Sequence, residues 1–117
     1  MSRIAIGAAA KRADAVLIFA ALGDETRLRI VARLSAEGPL SIRRLTAGAT
    51  VSRQAITKHL HALEEAGLAR GSRAGRECIW ELRANRLANV RRYLDQISLH
   101  WDTALGRLRA FVEADKQ

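Results

Sequence analysis

Between residues 51 and 82 the spacing of apolar side chains changes period, and few folds accommodate both halves of that change. In VSRQAITKHLHALEEAGL (51–68), Ile56, His59, Leu60 and Leu63 fall at i, i+3, i+4 and i+7, a single stripe at the 3.6-residue period. Ser52 is placed to accept from the free amides of a first turn. Gly67 is placed to take the left-handed conformation that ends a helix, and together they predict a helix over 53–66. In ARGSRAGRECIWEL (69–82), which follows at once, Cys78, Trp80 and Leu82 alternate with Glu77, Ile79 and Glu81, the period of a half-buried strand. Residues 68–73 and 76–82 flank Ala74-Gly75. The segment therefore reads as a β-hairpin with Arg73 and Arg76 at its tip and Arg70 and Arg83 at its base.

The chain before this segment reads as three further helices. The first spans 10–22, with Val16, Phe19 and Ala20 on one face and Gly23 as its stop. Asp24 caps a second, 25–36, whose stripe is Leu28, Val31 and Leu34 and which Gly38-Pro39 ends. Ser41 caps a short third helix, 42–47, and Gly48-Ala49-Thr50 turns into the 53–66 helix. A short helix, a tight turn and a longer polar-faced helix make a helix-turn-helix over 41–66, to which 68–82 adds a wing. The expected fold is mainly α with a small β-hairpin, a winged helix-turn-helix in the order α-α-α-α-β-β-α. At 117 residues it is one domain over 1–117, with a core of Leu, Ile, Val and Ala, since only five residues are Phe, Trp or Tyr.

The outward face of the 53–66 helix gives the first indication of a partner. Gln54, Lys58, His61 and Glu65 lie opposite the apolar stripe, with Arg53 and Thr57 flanking them near the N-terminus. Arg pairs bidentately with guanine and Gln with adenine, while Ser and Thr reach bases or phosphates. Ser52, Arg53, Gln54, Thr57 and Lys58 are thus what a major-groove reader would present. Guanidinium groups bind phosphate oxygens bidentately, so Arg70, Arg73 and Arg76 on the hairpin suit backbone contact, which positions without reading sequence. Outward His61 suits phosphate contact when protonated. The charge lies in the same place: 20 Lys and Arg stand against 12 Asp and Glu, and residues 43–92 carry +7 of the net +8. Double-stranded DNA is the expected partner. A sequence-specific regulator, a non-specific architectural DNA-binding protein and a winged helix reused for protein interaction all remain open on these residues.

From Leu87 to Val112 a single seam of Leu87, Val90, Leu94, Ile97, Trp101, Leu105, Leu108 and Val112 recurs at steps of three and four. A helix of roughly 25 residues spans about 37 Å, more than a small domain needs for its own core. Part of the seam must find another surface, and a second copy of the chain is the simplest one. The expected dimer interface is built from the 10–22 and 87–114 helices through Val16, Phe19, Val90, Leu94, Ile97, Trp101, Leu105 and Leu108. Two copies would place two reading helices on an inverted-repeat site.

The runs ALGDETRLRIVARL (21–34), VSRQAITKHLHALEEAGL and GRECIWEL (75–82), in this order and spacing, resemble the ArsR type of small bacterial winged-helix repressors over essentially the whole chain. The tail ISLHWDTALGRLRAFVEAD (97–115) is similar to a subgroup that lacks metal sites. The resemblance implies a homodimer, with the first and last helices at its interface, that represses transcription by occupying promoter DNA. It carries DNA reading onto Ser52, Arg53, Gln54, Thr57 and Lys58, and backbone contact onto the wing arginines. Metal-sensing members place paired cysteines on the helix corresponding to 41–47, or an Asp, two His and a Glu on the last helix. Here the first region reads SIRRLTA, while the last helix offers only His100, with Asp95 and Asp102 nearby and Ile at position 97. Those groups assemble neither thiolate nor multi-imidazole coordination, so no metal and no cofactor is expected.

The remaining chemistry-bearing residues have structural readings. His59, at the edge of the stripe, is expected to pack against a neighbour, and Trp80 and Trp101 to be core or interface aromatics. Asp24 and Glu25 favour a helix dipole, and Arg27 is expected to buttress the helix-turn-helix. One cysteine, Cys78, excludes an internal disulfide, and its inward position is that of an inert thiol. Lys11, Arg12 and Asp14 interrupt any secretory signal, and the apolar run from Ala15 to Leu22 is too short for a bilayer, so a cytoplasmic protein without membrane contact is expected. No phosphate-cradling glycine loop, carboxylate pair or activated nucleophile is recognisable, which argues against an enzyme. An inducer, whether a small molecule or a partner protein, leaves no mark in the sequence.

Overall fold

A computed structural model describes residues 3–115. Their elements are α1 (Arg3–Leu22), α2 (Glu25–Glu37), β1 (Leu40–Ser41), α3 (Ile42–Thr46), α4 (Arg53–Glu65), β2 (Ala69–Ala74), β3 (Glu77–Leu82) and α5 (Ala84–Ala114). Three short polar residues fix where three of the helices start. Asp24 accepts from the Arg27 amide at 3.0 Å, Ser41 from Arg44 at 3.2 Å and Ser52 from Ala55 at 3.1 Å, each satisfying a donor that a first turn leaves without a partner. At the other end of α4, Gly67 has φ 78°, the left-handed conformation expected of it.

The sheet is antiparallel in the order β1-β3-β2. Ala74 pairs with Glu77, so the hairpin connection is Gly75-Arg76, one position later than the sequence suggests. Gly75 takes φ 66° at the first central position, which is what a two-residue type II′ turn requires and what a Cβ resists. Strand β1 is an addition to the expected order: Leu40 pairs with Trp80 and Ser41 with Ile79. Two residues hold no alternation to detect, and Ser41 also caps α3.

One core joins all of these elements. Ile18 and Ala21 of α1, Ile30 and Leu34 of α2, Leu40, Leu45, and Ile56, Leu60 and Leu63 of α4 meet Leu68, Ala69, Trp80 and Val90. Each large aliphatic side chain removed from water in this way contributes about 1.5–3 kcal/mol. Trp80 is buried as the strand alternation predicts, with Cys78 and Leu82 half-buried beside it.

Packing decides three faces, and it corrects the expected stripe of α2 and the expected place of Val90. In α2 the buried pair is Ile30 and Leu34, with Val31 beside them, while Leu28 is 51% exposed. α2 packs against α4 and β3, and that contact selects a face slightly rotated from the 28-31-34 stripe. In α1, which starts seven residues earlier than expected, the buried residues are Ala15, Ile18 and Ala21; Val16 and Phe19 point outward. Val90, expected at a dimer seam, is instead buried in the chain's own core, because the first turns of α5 lie against α1. Beyond Tyr93, α5 leaves the body. Its 31 residues span about 46 Å. The chain accordingly measures 71 Å along its longest axis, with a radius of gyration of 19.6 Å against about 13 Å for a compact chain of this length.

Candidate nucleic-acid interface

The turn between α3 and α4 brings the N-terminal end of α4 to the surface. Arg33 of α2 holds the preceding helix in place by donating to the Arg44 carbonyl at 3.2 Å and the Leu45 carbonyl at 3.4 Å, two acceptors that the end of a short helix leaves open. With Ile56, Leu60 and Leu63 anchored in the core, the outer side of α4 presents Arg53, Gln54, Thr57 and Lys58 along one shallow, open depression. Neither Arg53 nor Lys58 is in a salt bridge among the described residues, so both cations face solvent without compensation. Ser52 accepts from Ala55 and keeps its O–H free to donate. Thr57 spends its proton on the Arg53 carbonyl at 2.9 Å, leaving it acceptor lone pairs and a methyl group.

The wing arginines are not equivalent. Arg73 and Arg76 are exposed at the hairpin tip and unpaired among the described residues. Arg70 lies directly across the ladder from Glu81, and its Nε donates to Glu81 Oε1 at 3.2 Å. His61 is also engaged: its Nδ1 lies 3.5 Å from Glu64 Oε1, and its ring stands edge-on to Trp80 at 5.6 Å. The Gly71 amide donates to Glu64 Oε2 at 3.4 Å, so Glu64 ties α4 to the wing. Neither Glu64 nor Glu81 stands out in the sequence, because each meets a residue whose position depends on strand register.

A second cluster fixes α4 against α2. Asp24 Oδ2 lies 3.8 Å from His59 Nδ1 on α4 and 3.9 Å from Arg27 Nε. His59 thus packs beside a neighbour, as the sequence predicts. The hydrogen bond donated by the Arg27 backbone N–H, with His59 and the Arg27 guanidinium adding to it, holds the Asp24 carboxyl below the usual aspartate value against some opposition from desolvation. The Arg33 guanidinium does the same for Glu37 through a 2.9 Å hydrogen bond.

Apart from Val90, the residues expected at a dimer interface lie in the open. Val16 and Phe19 on α1, and Leu94, Ile97, Trp101, Leu105 and Leu108 on α5, are all exposed large hydrophobics. Among the described residues no group of three His, Cys, Asp or Glu is placed to hold a metal ion, and no helix is long and apolar enough to cross a membrane.

A capped helix with cations along its outer side that are unpaired among the described residues, packed beside a basic hairpin, defines a winged helix-turn-helix DNA-binding protein. Residues 22–71 match the family described as Helix-turn-helix domain. The HTH-type transcriptional regulator Rv2034 of Mycobacterium tuberculosis is 36% identical over 95 residues, which cover 81% of this chain and 85% of that protein. Among solved structures, an ArsR-like transcriptional regulator from Rhodococcus sp. RHA1 is similar with a TM-score of 0.73 and 36% identity, over 86% of this chain and 93% of that one. The ArsR family transcriptional regulator RHA00566 is similar with a TM-score of 0.70 and 27% identity, over 78% and 93%. The chain belongs to the ArsR family of winged helix-turn-helix transcriptional regulators and is not an enzyme.

Proposed function

We propose that the chain acts as a homodimeric repressor, or autorepressor, that occupies an inverted-repeat operator. α4 lies in the major groove, where Arg53 and Gln54 read base edges, Ser52, Thr57 and Lys58 add base or phosphate contacts, and Arg73 and Arg76 hold the backbone beside it. The observation that carries this reading is the side-by-side placement of Arg53, Gln54, Thr57 and Lys58 on one side of α4, with neither cation in a salt bridge among the described residues. Arg70 and His61 take lesser parts, since each already has a partner within the chain. The exposed apolar residues of α1 and distal α5 support self-association, which sets the spacing of two reading helices.

Footprinting on the DNA immediately upstream of the chain's own gene, repeated at two salt concentrations, tests this. The expected result is a protected palindromic site whose affinity falls steeply as salt rises. Equal protection of random DNA would replace the repressor with an architectural protein, and the absence of salt-sensitive binding would leave a protein-interaction module.

A further inference from the structure

Where α1 crosses the start of α5 the two helices leave a cavity of about 120 Å³. Its floor is apolar and buried: Ala15, Ile18 and Val90. Its rim is polar and holds two guanidinium groups in different electrical states. Arg86 Nη1 sits 3.1 Å from Asp14 Oδ2 and is neutralised there. Arg92 donates through Nη2 to the Asn89 amide oxygen at 2.6 Å, a neutral partner, and among the described residues it has no carboxylate within salt-bridge distance. An enclosed apolar cavity of about 150 Å³ is known to hold one benzene ring; this one is smaller but open at its rim, so a single ring or a short chain can enter with its polar end outside.

We propose that this cavity is an effector pocket for a small organic carboxylate, its anion bound by Arg92 and its apolar body over Ile18 and Val90. A neutral molecule would leave the Arg92 charge unmatched, and an inorganic anion would leave the floor unfilled. Asn89, already bonded to Arg92, orients that guanidinium, and Tyr93 on the same rim offers the anion a second donor. Occupancy has a route to the DNA-binding surface. α1 contacts α4 as well as α5, and Ile18 is both cavity floor and a member of the same buried core as Ile56 and Leu60 of α4. A filled cavity changes the seating of α1 against the reading helix, a consequence that rests on the function proposed above, whereas the binding itself does not.

Calorimetric titration of the full chain with benzoate, at fixed ionic strength, tests the pocket, with benzamide and inorganic phosphate titrated alongside. Benzoate is expected to bind saturably, one per chain, with amide shifts confined to residues 14–18 and 86–96. Benzamide and the Arg92→Gln variant with benzoate should each bind about tenfold or more weakly, the loss of one charge-assisted hydrogen bond, with the variant's melting temperature unchanged, and phosphate should bind as weakly because it leaves the apolar floor unfilled. Saturating benzoate should change DNA affinity by about fivefold or more. No saturable signal up to about 10 mM, where even a millimolar site fills, overturns the pocket. Equal binding of benzamide, or full binding by Arg92→Gln, overturns the anion site. Benzoate binding without a change in DNA affinity overturns the effector role. A chain that binds benzoate but no DNA under any condition counts against the proposed function and leaves the carboxylate site standing.

Discussion

Helix α4 and the distal part of α5 carry the same kind of apolar stripe and meet opposite fates. In α4 the stripe is closed by the chain's own core, with Leu60 and Leu63 both at 0% exposure. In α5 the seam enters the core only through Leu87 and Val90; further on, Leu105 is 56% and Trp101 64% exposed. Periodicity states that a face will be covered and not by what. The difference lies in reach: α4 is a 13-residue helix enclosed by α1, α2, α3 and β2, whereas α5 is a 31-residue helix whose end outruns every neighbour.

The same chemical change made on both helices should separate the two fates. Leu60→Ala is expected to cost about 2–5 kcal/mol of folding stability, read by urea denaturation, because it opens a cavity in a closed core. Leu105→Ala should cost less than about 0.5 kcal/mol of the isolated chain's stability. A large loss there, independent of protein concentration, would mean that the distal seam folds back onto its own body.

The seam should instead show itself in association. Trp101→Ala is expected to weaken self-association by about 2 kcal/mol or more, the range of a buried aromatic anchor, in sedimentation equilibrium. It should lower DNA affinity in parallel while leaving the circular dichroism of α4 unchanged. A variant that stays associated would remove the α5 seam from the interface.

Smaller effects belong to the outer side of α4 and the wing. Arg53→Ala or Gln54→Ala should each cost about 1–3 kcal/mol of operator binding and relax preference at one base position, measured by binding to a panel of altered sites. Arg76→Ala should weaken all sequences alike and reduce the salt slope by about 1. Arg70→Ala should do less than Arg76→Ala, since Arg70 is already held by Glu81. If the two wing variants behave identically, that cross-strand pair does not restrain Arg70.

The smallest effect concerns the junction of α2 with α4. The Asp24 carboxyl is held below its unfolded value, chiefly by the Arg27 amide, so the folded state favours the ionised form. Its stabilising contribution is fully present above the unfolded aspartate pKa, near 3.8, and is lost as pH falls through the lower folded value. Wild-type stability should therefore fall across this acidic window more steeply than that of Asp24→Asn, compared by thermal denaturation at a series of pH values. Parallel curves would contradict the assignment.

Much of this architecture is local and for that reason legible. Asp24, Ser41 and Ser52 cap their helices by bonding to amides three residues ahead, an interaction that needs no tertiary structure to be anticipated. The α4 stripe, the strand alternation around Trp80 and the chain-local crowding of positive charge are likewise written in consecutive residues. The less legible features depend on register or on a choice between neighbouring faces. The hairpin turn moved by one residue because only Gly75 accepts the positive φ of its first position. The two-residue β1, the exposure of Leu28 and the burial of Val90 each follow from a contact with a distant element.

The sequence by itself therefore determined the winged helix-turn-helix, the location of its charge and the side chains along the outer side of α4, since short-range hydrogen bonds and hydrophobic period act within a few residues. Tertiary structure alone decided which arginines are left unpaired, how Glu64 and Asp24 fasten α4, and where α1 and α5 enclose a cavity. Those outcomes depend on groups brought together across 7 to 72 positions of chain, where Gly71 meets Glu64 and Arg86 meets Asp14. Pairing at that range is fixed only when the whole core closes.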